Sequence, residues 1–69
     1  MMEKPIAMPT AREIQILQAM ARGLTSKQIA FELRISEKTV ETHRKNLQQK
    51  FDAINASQLI YTSTKLGFI

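Results

Sequence analysis

The chain has no cysteine and a single histidine in 69 residues. Disulfides, thiolate catalysis and cysteine metal sites are therefore excluded, and one imidazole cannot hold a metal by itself. The lack of cysteine also fits a reducing compartment, so the expected localisation is cytoplasmic. No apolar run approaches the roughly 20 residues of a membrane span. Met1 to Pro9 lacks the hydrophobic stretch of a signal peptide. There are no internal repeats, no low-complexity tract and no alternating strand pattern, which leaves an all-α chain. A chain this short holds one core that only just offsets chain entropy. It has no room for an enzyme cleft, so no catalytic residue, metal or cofactor is expected.

What is present is basic. Ten Lys and Arg against six Asp and Glu give a net charge of +4 and a pI near 9.9. That balance suits a polyanionic partner, although many small domains carry it with none.

Residues 1–9 hold both prolines and no periodicity, so they read as a tail or interdomain linker ahead of a domain at 10–69. Thr10-Ala-Arg-Glu13 fits a capping box. Ile14, Leu17 and Ala21 recur at helical spacing, and Gly23 supplies a left-handed stop. This predicts helix 1 over about 11–22, with Leu24 packing under the corner. Thr25-Ser-Lys-Gln28 repeats the box and opens a helix over about 26–33, with Ile29, Ala30 and Leu33 inward. Ala30 provides the small side chain that two steeply crossing helices need. After Arg34 and Ile35, Ser36 caps a longer helix over about 37–51. The usual turn glycine is missing, and Arg34 can occupy that bend without glycine if the turn avoids positive φ. Asn55, with Gln58 three positions on, caps a fourth helix over about 56–66 that ends at Gly67. Leu59, Ile60 and Leu66 are expected to cover the core, with Phe68 and Ile69 folding back. Tyr61, Thr62 and Lys65 are expected outside.

The third helix has two distinct sides. Stepping about 100° per residue places Val40, Leu47 and Phe51 on one apolar stripe. Lys38, Thr42, Lys45 and Gln49 gather on the opposite side, flanked by Glu41 and Asn46. A short helix, a connection of about three residues and a longer helix with a polar outer face is the helix-turn-helix arrangement, in which the second helix reads DNA.

Four separated blocks carry a more specific likeness: Thr10-Ala-Arg-Glu13, Gly23 to Ala30, Leu33 to Val40, and His43 to Leu47 with Lys50-Phe51. Their order and spacing resemble the LuxR/GerE-type DNA-binding domain over roughly residues 9–69. The resemblance implies a four-helix domain whose third helix recognises duplex DNA and whose fourth helix commonly forms the homodimer contact. Such a domain is usually the output module of a transcriptional regulator, often a response regulator with a receiver or a ligand-sensing domain. Departures are Pro9 before the capping threonine, Asp52 where a glycine commonly ends helix 3, and Ala56-Ser57 at the start of helix 4.

Carried onto this sequence, the family's base-reading positions correspond to Glu41, Thr42 and Lys45. Lys45 can donate to guanine O6 and N7, and Thr42 can touch a thymine methyl or hydrogen-bond an edge. Glu41 either selects cytosine N4 or orients a neighbouring Arg or Lys. Lys27, Lys38, Thr39, Arg44 and Lys50 are candidates for phosphate contacts that set register. His43 divides between a phosphate contact and a satisfied half-buried histidine. Asn46 and Gln49 are candidate edge contacts, and Tyr61, Thr62 and Lys65 are dimer candidates. The expected partners are double-stranded DNA, a weak homodimer through helix 4, and RNA polymerase; no membrane is implied. The alternatives are a promoter-binding module like region 4 of a sigma factor, and a protein-interaction domain on the same fold.

Overall fold

The computed structural model describes residues 8–69; the expected tail lies mostly on residues 1–7, outside the described residues. Among the described residues four helices follow one another: α1 at Ala11–Ala21, α2 at Ser26–Leu33, α3 at Glu37–Lys50 and α4 at Ala56–Lys65. The all-α expectation holds. Arg22, Phe51 and Leu66, expected as last helical residues, are caps.

Each helix starts where a side chain satisfies a free amide of the first turn. Thr10 Oγ1 accepts from the Glu13 amide at 3.1 Å, and Glu13 Oε1 accepts from the Thr10 amide at 2.9 Å. Thr25 and Gln28 exchange the same pair of bonds at 3.1 and 2.8 Å. Ser36 Oγ accepts from the Thr39 amide at 3.0 Å. Asn55 Oδ1 accepts from the Gln58 amide at 2.8 Å, while Gln58 reaches back to the Ile54 amide.

The four helices also end alike. Gly23, Arg34, Asp52 and Gly67 all have positive φ, at 87°, 60°, 53° and 85°. In each case the next residue's amide donates back across the last turn. Leu24 reaches Ala19 O at 3.2 Å, Ile35 reaches Ala30 O at 3.1 Å, Ala53 reaches Gln48 O at 2.8 Å and Phe68 reaches Ser63 O at 2.9 Å. This is the Schellman closure, whose apolar follower packs back onto the helix. Leu24, Ile35, Ala53 and Phe68 indeed lie against the core. The bend at Arg34 therefore has positive φ, so the condition under which Arg34 would replace a turn glycine without strain is not met. A non-glycine residue there costs roughly 1 kcal/mol, offset by the Ile35 amide bond and the packing of its side chain.

The core consists of Ile16, Leu17 and Ala19 from α1, Ile29 and Ala30 from α2, Val40 and Leu47 with Phe51 at the end of α3, and Leu59 from α4. The α3 stripe is as expected. On α1 the expected face is corrected: Leu17 is buried, but Ile14 is only half-buried and Ala21 is exposed. Glu13, Ile16, Leu17 and Met20, spaced i, i+3, i+4 and i+7, face inward, with buried Ala19 beside them. A charged residue stands at one of them because a tertiary partner neutralises it. On α4, Leu59 is buried and Ile60 half-buried, but Leu66 is 49% exposed, against expectation. Leu66 is the cap before the Gly67 reversal, and Phe68 fills the core edge instead, stacked on Phe51 at 5.8 Å between ring centroids.

The most extensive helix pairing is α2 against α3, with buried Ala30 on the inner side of α2. Only Arg34, Ile35 and Ser36 separate these two helices.

Candidate nucleic-acid interface

Val40, Leu47 and Phe51 hold α3 against the core, and this orients the rest of the helix outward. Lys38, Glu41, Thr42, Lys45, Asn46 and Gln49 are all exposed. Lys27 is exposed on the first turn of α2, and Thr39 on the first turn of α3. The Thr39 hydroxyl lies 2.8 Å from Ser36 Oγ, so both belong to the N-terminal cap of α3.

Two basic side chains of α3 are turned toward the protein. Arg44 Nη1 donates to Ser26 Oγ at 2.8 Å and bridges α3 to the first turn of α2. Lys50 Nζ donates to Glu13 Oε1 at 2.6 Å. Its assignment to phosphate is therefore revised: the ammonium already has an anionic partner inside the domain. Burial opposes ionisation of Glu13 and is the largest single influence on it. The Lys50 hydrogen bond, the Thr10 amide and the nearby charges of Lys50 and His43 together outweigh it, and the carboxyl titrates below its ordinary value.

His43 is half-buried, but its buried Nδ1 has no hydrogen-bond partner among the described residues. The reading of a satisfied histidine is corrected on that atom. Glu41 and Lys45 enter no ion pair among the described residues, where the pairs are Arg22 with Glu32 and Lys50 with Glu13. Glu41 thus has no Arg or Lys partner to orient among the described residues. Thr42 Oγ1 donates to the carbonyl of Lys38 at 3.1 Å.

On α4, Tyr61 is 63% exposed, Lys65 is exposed and Thr62 is half-buried. The Lys65 ammonium sits 5.5 Å from the Tyr61 ring centroid, within cation-π range.

Sequence reasoning missed Glu13 as a buried charge, Ser26 as the seat of Arg44, and the fully buried Ser63. Glu13 and Ser26 had evident local roles near helix starts, and nothing in the local pattern points to partners 37 and 18 positions away. For Ser63 the spacing of four from Leu59 was the available signal.

A short helix crossed by a longer one, with the longer helix capped, anchored and polar outward, defines a helix-turn-helix DNA-binding domain. Among the described residues no helix is long and apolar enough to cross a membrane, and no cluster of side chains could hold a metal. The chain belongs to the family of bacterial regulatory proteins called the luxR family, which it matches over residues 9–63. It is 48% identical over 58 residues to an uncharacterized response regulatory protein, YgeK, of Escherichia coli strain K12, covering 84% of this chain and 40% of that one. Among solved structures, the transcription factor GerE superimposes with a TM-score of 0.83 at 41% identity, covering 86% of this chain and 88% of GerE. The VqmA dimer of Vibrio cholerae, a LuxR-type receptor solved in the absence of its target DNA, superimposes with a TM-score of 0.84 at 36% identity, covering 91% of this chain and 28% of VqmA. The chain thus spans well under half the length of YgeK. It is a LuxR-type helix-turn-helix domain, the DNA-binding domain of transcriptional regulators, and the family match favours this over region 4 of a sigma factor.

Proposed function

We propose that this chain binds duplex DNA sequence-specifically as the output domain of a transcriptional regulator, with α3 in the major groove. The observation that carries this is the division of α3. Its apolar stripe is wholly enclosed, while Lys38, Glu41, Thr42, Lys45, Asn46 and Gln49 share the free side. A major groove about 12 Å wide accepts one such helix.

Glu41, Thr42 and Lys45 are the base-reading residues in this proposal, and Asn46 and Gln49 reach base edges at the flanks. Lys45 donates to a guanine; Glu41, which pairs with no cation among the described residues, accepts from a cytosine amino group or rejects other bases. Lys27, Lys38, Thr39 and Arg44 face phosphates, and His43 joins them if its ring turns outward. Arg44 keeps further guanidinium N–H groups beyond the one given to Ser26. The amide ends of α2 and α3 add to the same anion-binding surface.

The outer face of α4, with Tyr61, Thr62 and Lys65, forms a weak homodimer contact, so that two copies span an inverted repeat. That VqmA is a dimer supports dimerisation as such. Contact with RNA polymerase belongs to the same proposal without an assigned residue.

Fluorescence anisotropy with a random duplex at two salt concentrations tests the proposal. Weak binding that falls steeply with salt is expected, because each neutralised phosphate releases counterions. No binding even at low salt would remove DNA recognition and leave a protein-interaction domain on the same fold.

A further inference from the structure

Among the described residues the most exposed large apolar side chain lies neither on α3 nor on α4. It is Phe31 of α2, which is 88% exposed. Stepping about 100° per residue places it roughly 160° from buried Ile29 and half-buried Leu33, on the side of α2 turned away from the core. Ile29, Ala30 and Leu33 hold the helix in place without it. The ring is thus an apolar surface that folding does not use.

Phe31 is one wall of a surface groove of about 500 Å³, shared with Leu24, Lys27, Gln28 and Glu32. The polar atoms of two of these residues are already engaged. Gln28 Oε1 accepts from the Thr25 amide at 2.8 Å, and Glu32 Oε2 accepts from Arg22 Nη2 at 2.8 Å. Leu24, the methylene stem of Lys27 and the Phe31 ring remain as the apolar lining. Walls held by a helix cap and an ion pair are pre-organised, so docking there orders few further side chains.

The unmatched charge around the groove has one sign. Glu32 is matched by Arg22. Lys27 and Arg34, four positions before Phe31 and three after it, are exposed and enter no ion pair among the described residues. A second copy of the chain is therefore a poor occupant, because an isologous contact would set like cations against one another. A DNA backbone would satisfy the cations and leave the ring in water. An acidic segment with one large apolar side chain matches both parts of the surface, since the anchor fills the groove and carboxylates meet the cations. Lys27, assigned above to phosphate, has three N–H donors and can serve a carboxylate beside it.

We infer that the Phe31 face of α2 is a docking site for an acidic protein segment, whose aromatic or large aliphatic side chain fills the groove beside Phe31 while flanking carboxylates pair with Lys27 and Arg34. The inference goes beyond DNA recognition by α3 and does not depend on it.

The probe is a displayed library of random short peptides, selected on the 69-residue chain. Enriched sequences should carry an aromatic or large aliphatic residue flanked by Asp or Glu. One such peptide is then synthesised and titrated against variants by fluorescence anisotropy. F31A should weaken it about tenfold or more, as truncation of a central aromatic contact does. K27E should weaken it about tenfold by reversing the charge beside the groove. F31L, which keeps an apolar side chain, should stay within about threefold. F31A should keep the melting midpoint and the duplex affinity of the unsubstituted chain, because the ring lies outside the core and off α3.

An empty selection, or peptides indifferent to F31A, would overturn the site. Enrichment of basic or uncharged peptides would overturn the acidic class. Sedimentation velocity tests the remaining occupant: a concentration-dependent dimer that F31A dissolves would put a second copy on this face and overturn the inference. Loss of duplex affinity in F31A would assign the ring to DNA and overturn it too. Failure of the unsubstituted chain to bind duplex, with peptide binding intact, would remove the DNA reading alone.

Discussion

The Lys50 ammonium lies 2.6 Å from Glu13 Oε1, joining the last turn of α3 to the first turn of α1 across 37 positions of chain. The same carboxylate oxygen accepts the Thr10 amide at 2.9 Å, so one atom closes the cap of α1 and anchors α3. The pair is largely withdrawn from water, with side-chain exposures of 26% for Lys50 and 5% for Glu13. Lys50→Met strands a buried carboxylate and should cost about 2 kcal/mol of stability by urea denaturation. Glu13→Gln keeps an acceptor for the Thr10 amide and should cost less. Equal stability of Lys50→Met and the unsubstituted chain would make the contact dispensable.

Acid should weaken this link. Glu13 titrates below its ordinary value in the folded chain, through Lys50 and Thr10 acting against burial. A carboxylate depressed on folding contributes stability above its unfolded pKa, about 4.3 for glutamate, and loses it as pH falls through the folded value. The stability gap between the unsubstituted chain and Glu13→Gln should therefore narrow as pH falls from the unfolded value through the folded one. A gap that stays constant to acid pH would contradict the ionised pair.

Salt dependence should separate the lysines. Lys27→Ala should weaken binding to all duplexes and reduce the salt slope by about 1. Lys45→Ala should cost about 1 to 3 kcal/mol on a selected site and relax one base position. Lys50→Met, assayed where it is folded, should leave the salt slope unchanged, since its ammonium is paired with Glu13. A reduced slope in that variant would return Lys50 to the phosphates.

Arg34 occupies the left-handed region at φ 60° in the turn between α2 and α3. Arg34→Gly relieves the side-chain strain but adds freedom to the unfolded chain, so a net gain of up to about 1 kcal/mol is expected. Arg34→Val should lose at least as much, because a β-branched residue resists positive φ. Thermal melts of the two variants should therefore bracket the unsubstituted chain, and a lower midpoint for Arg34→Gly would refute the assignment of strain.

Ser63 is fully buried on α4, and its hydroxyl has no hydrogen-bond partner among the described residues. Removing an unsatisfied hydroxyl lifts a desolvation penalty, so Ser63→Ala should stabilise the domain by about 1 kcal/mol. Ser63→Val, which adds volume to a packed site, should destabilise it by about 1 to 3 kcal/mol. A loss on substitution by alanine would mean that the hydroxyl has a partner in solution.

What the amino-acid sequence determined by itself is the local grammar of the fold. Thr10, Thr25, Ser36 and Asn55 start the helices, and each does so through a bond to a residue three positions on. Gly23 and Gly67 end two of them, and Val40, Leu47 and Phe51 mark the buried side of α3. Such interactions close within one or two helical turns, so residue order alone contains them. Tertiary structure decided the rest. Glu13 could turn inward and displace Ile14 and Ala21 from the buried face because Lys50 arrives from 37 positions away to neutralise it. Arg34 and Asp52 could adopt a glycine conformation because Ile35 and Ala53 gain packing in the core. Arg44 turned to Ser26 and Leu66 turned outward for the same physical reason: burial and pairing across the chain outweighed the local preference of a single residue.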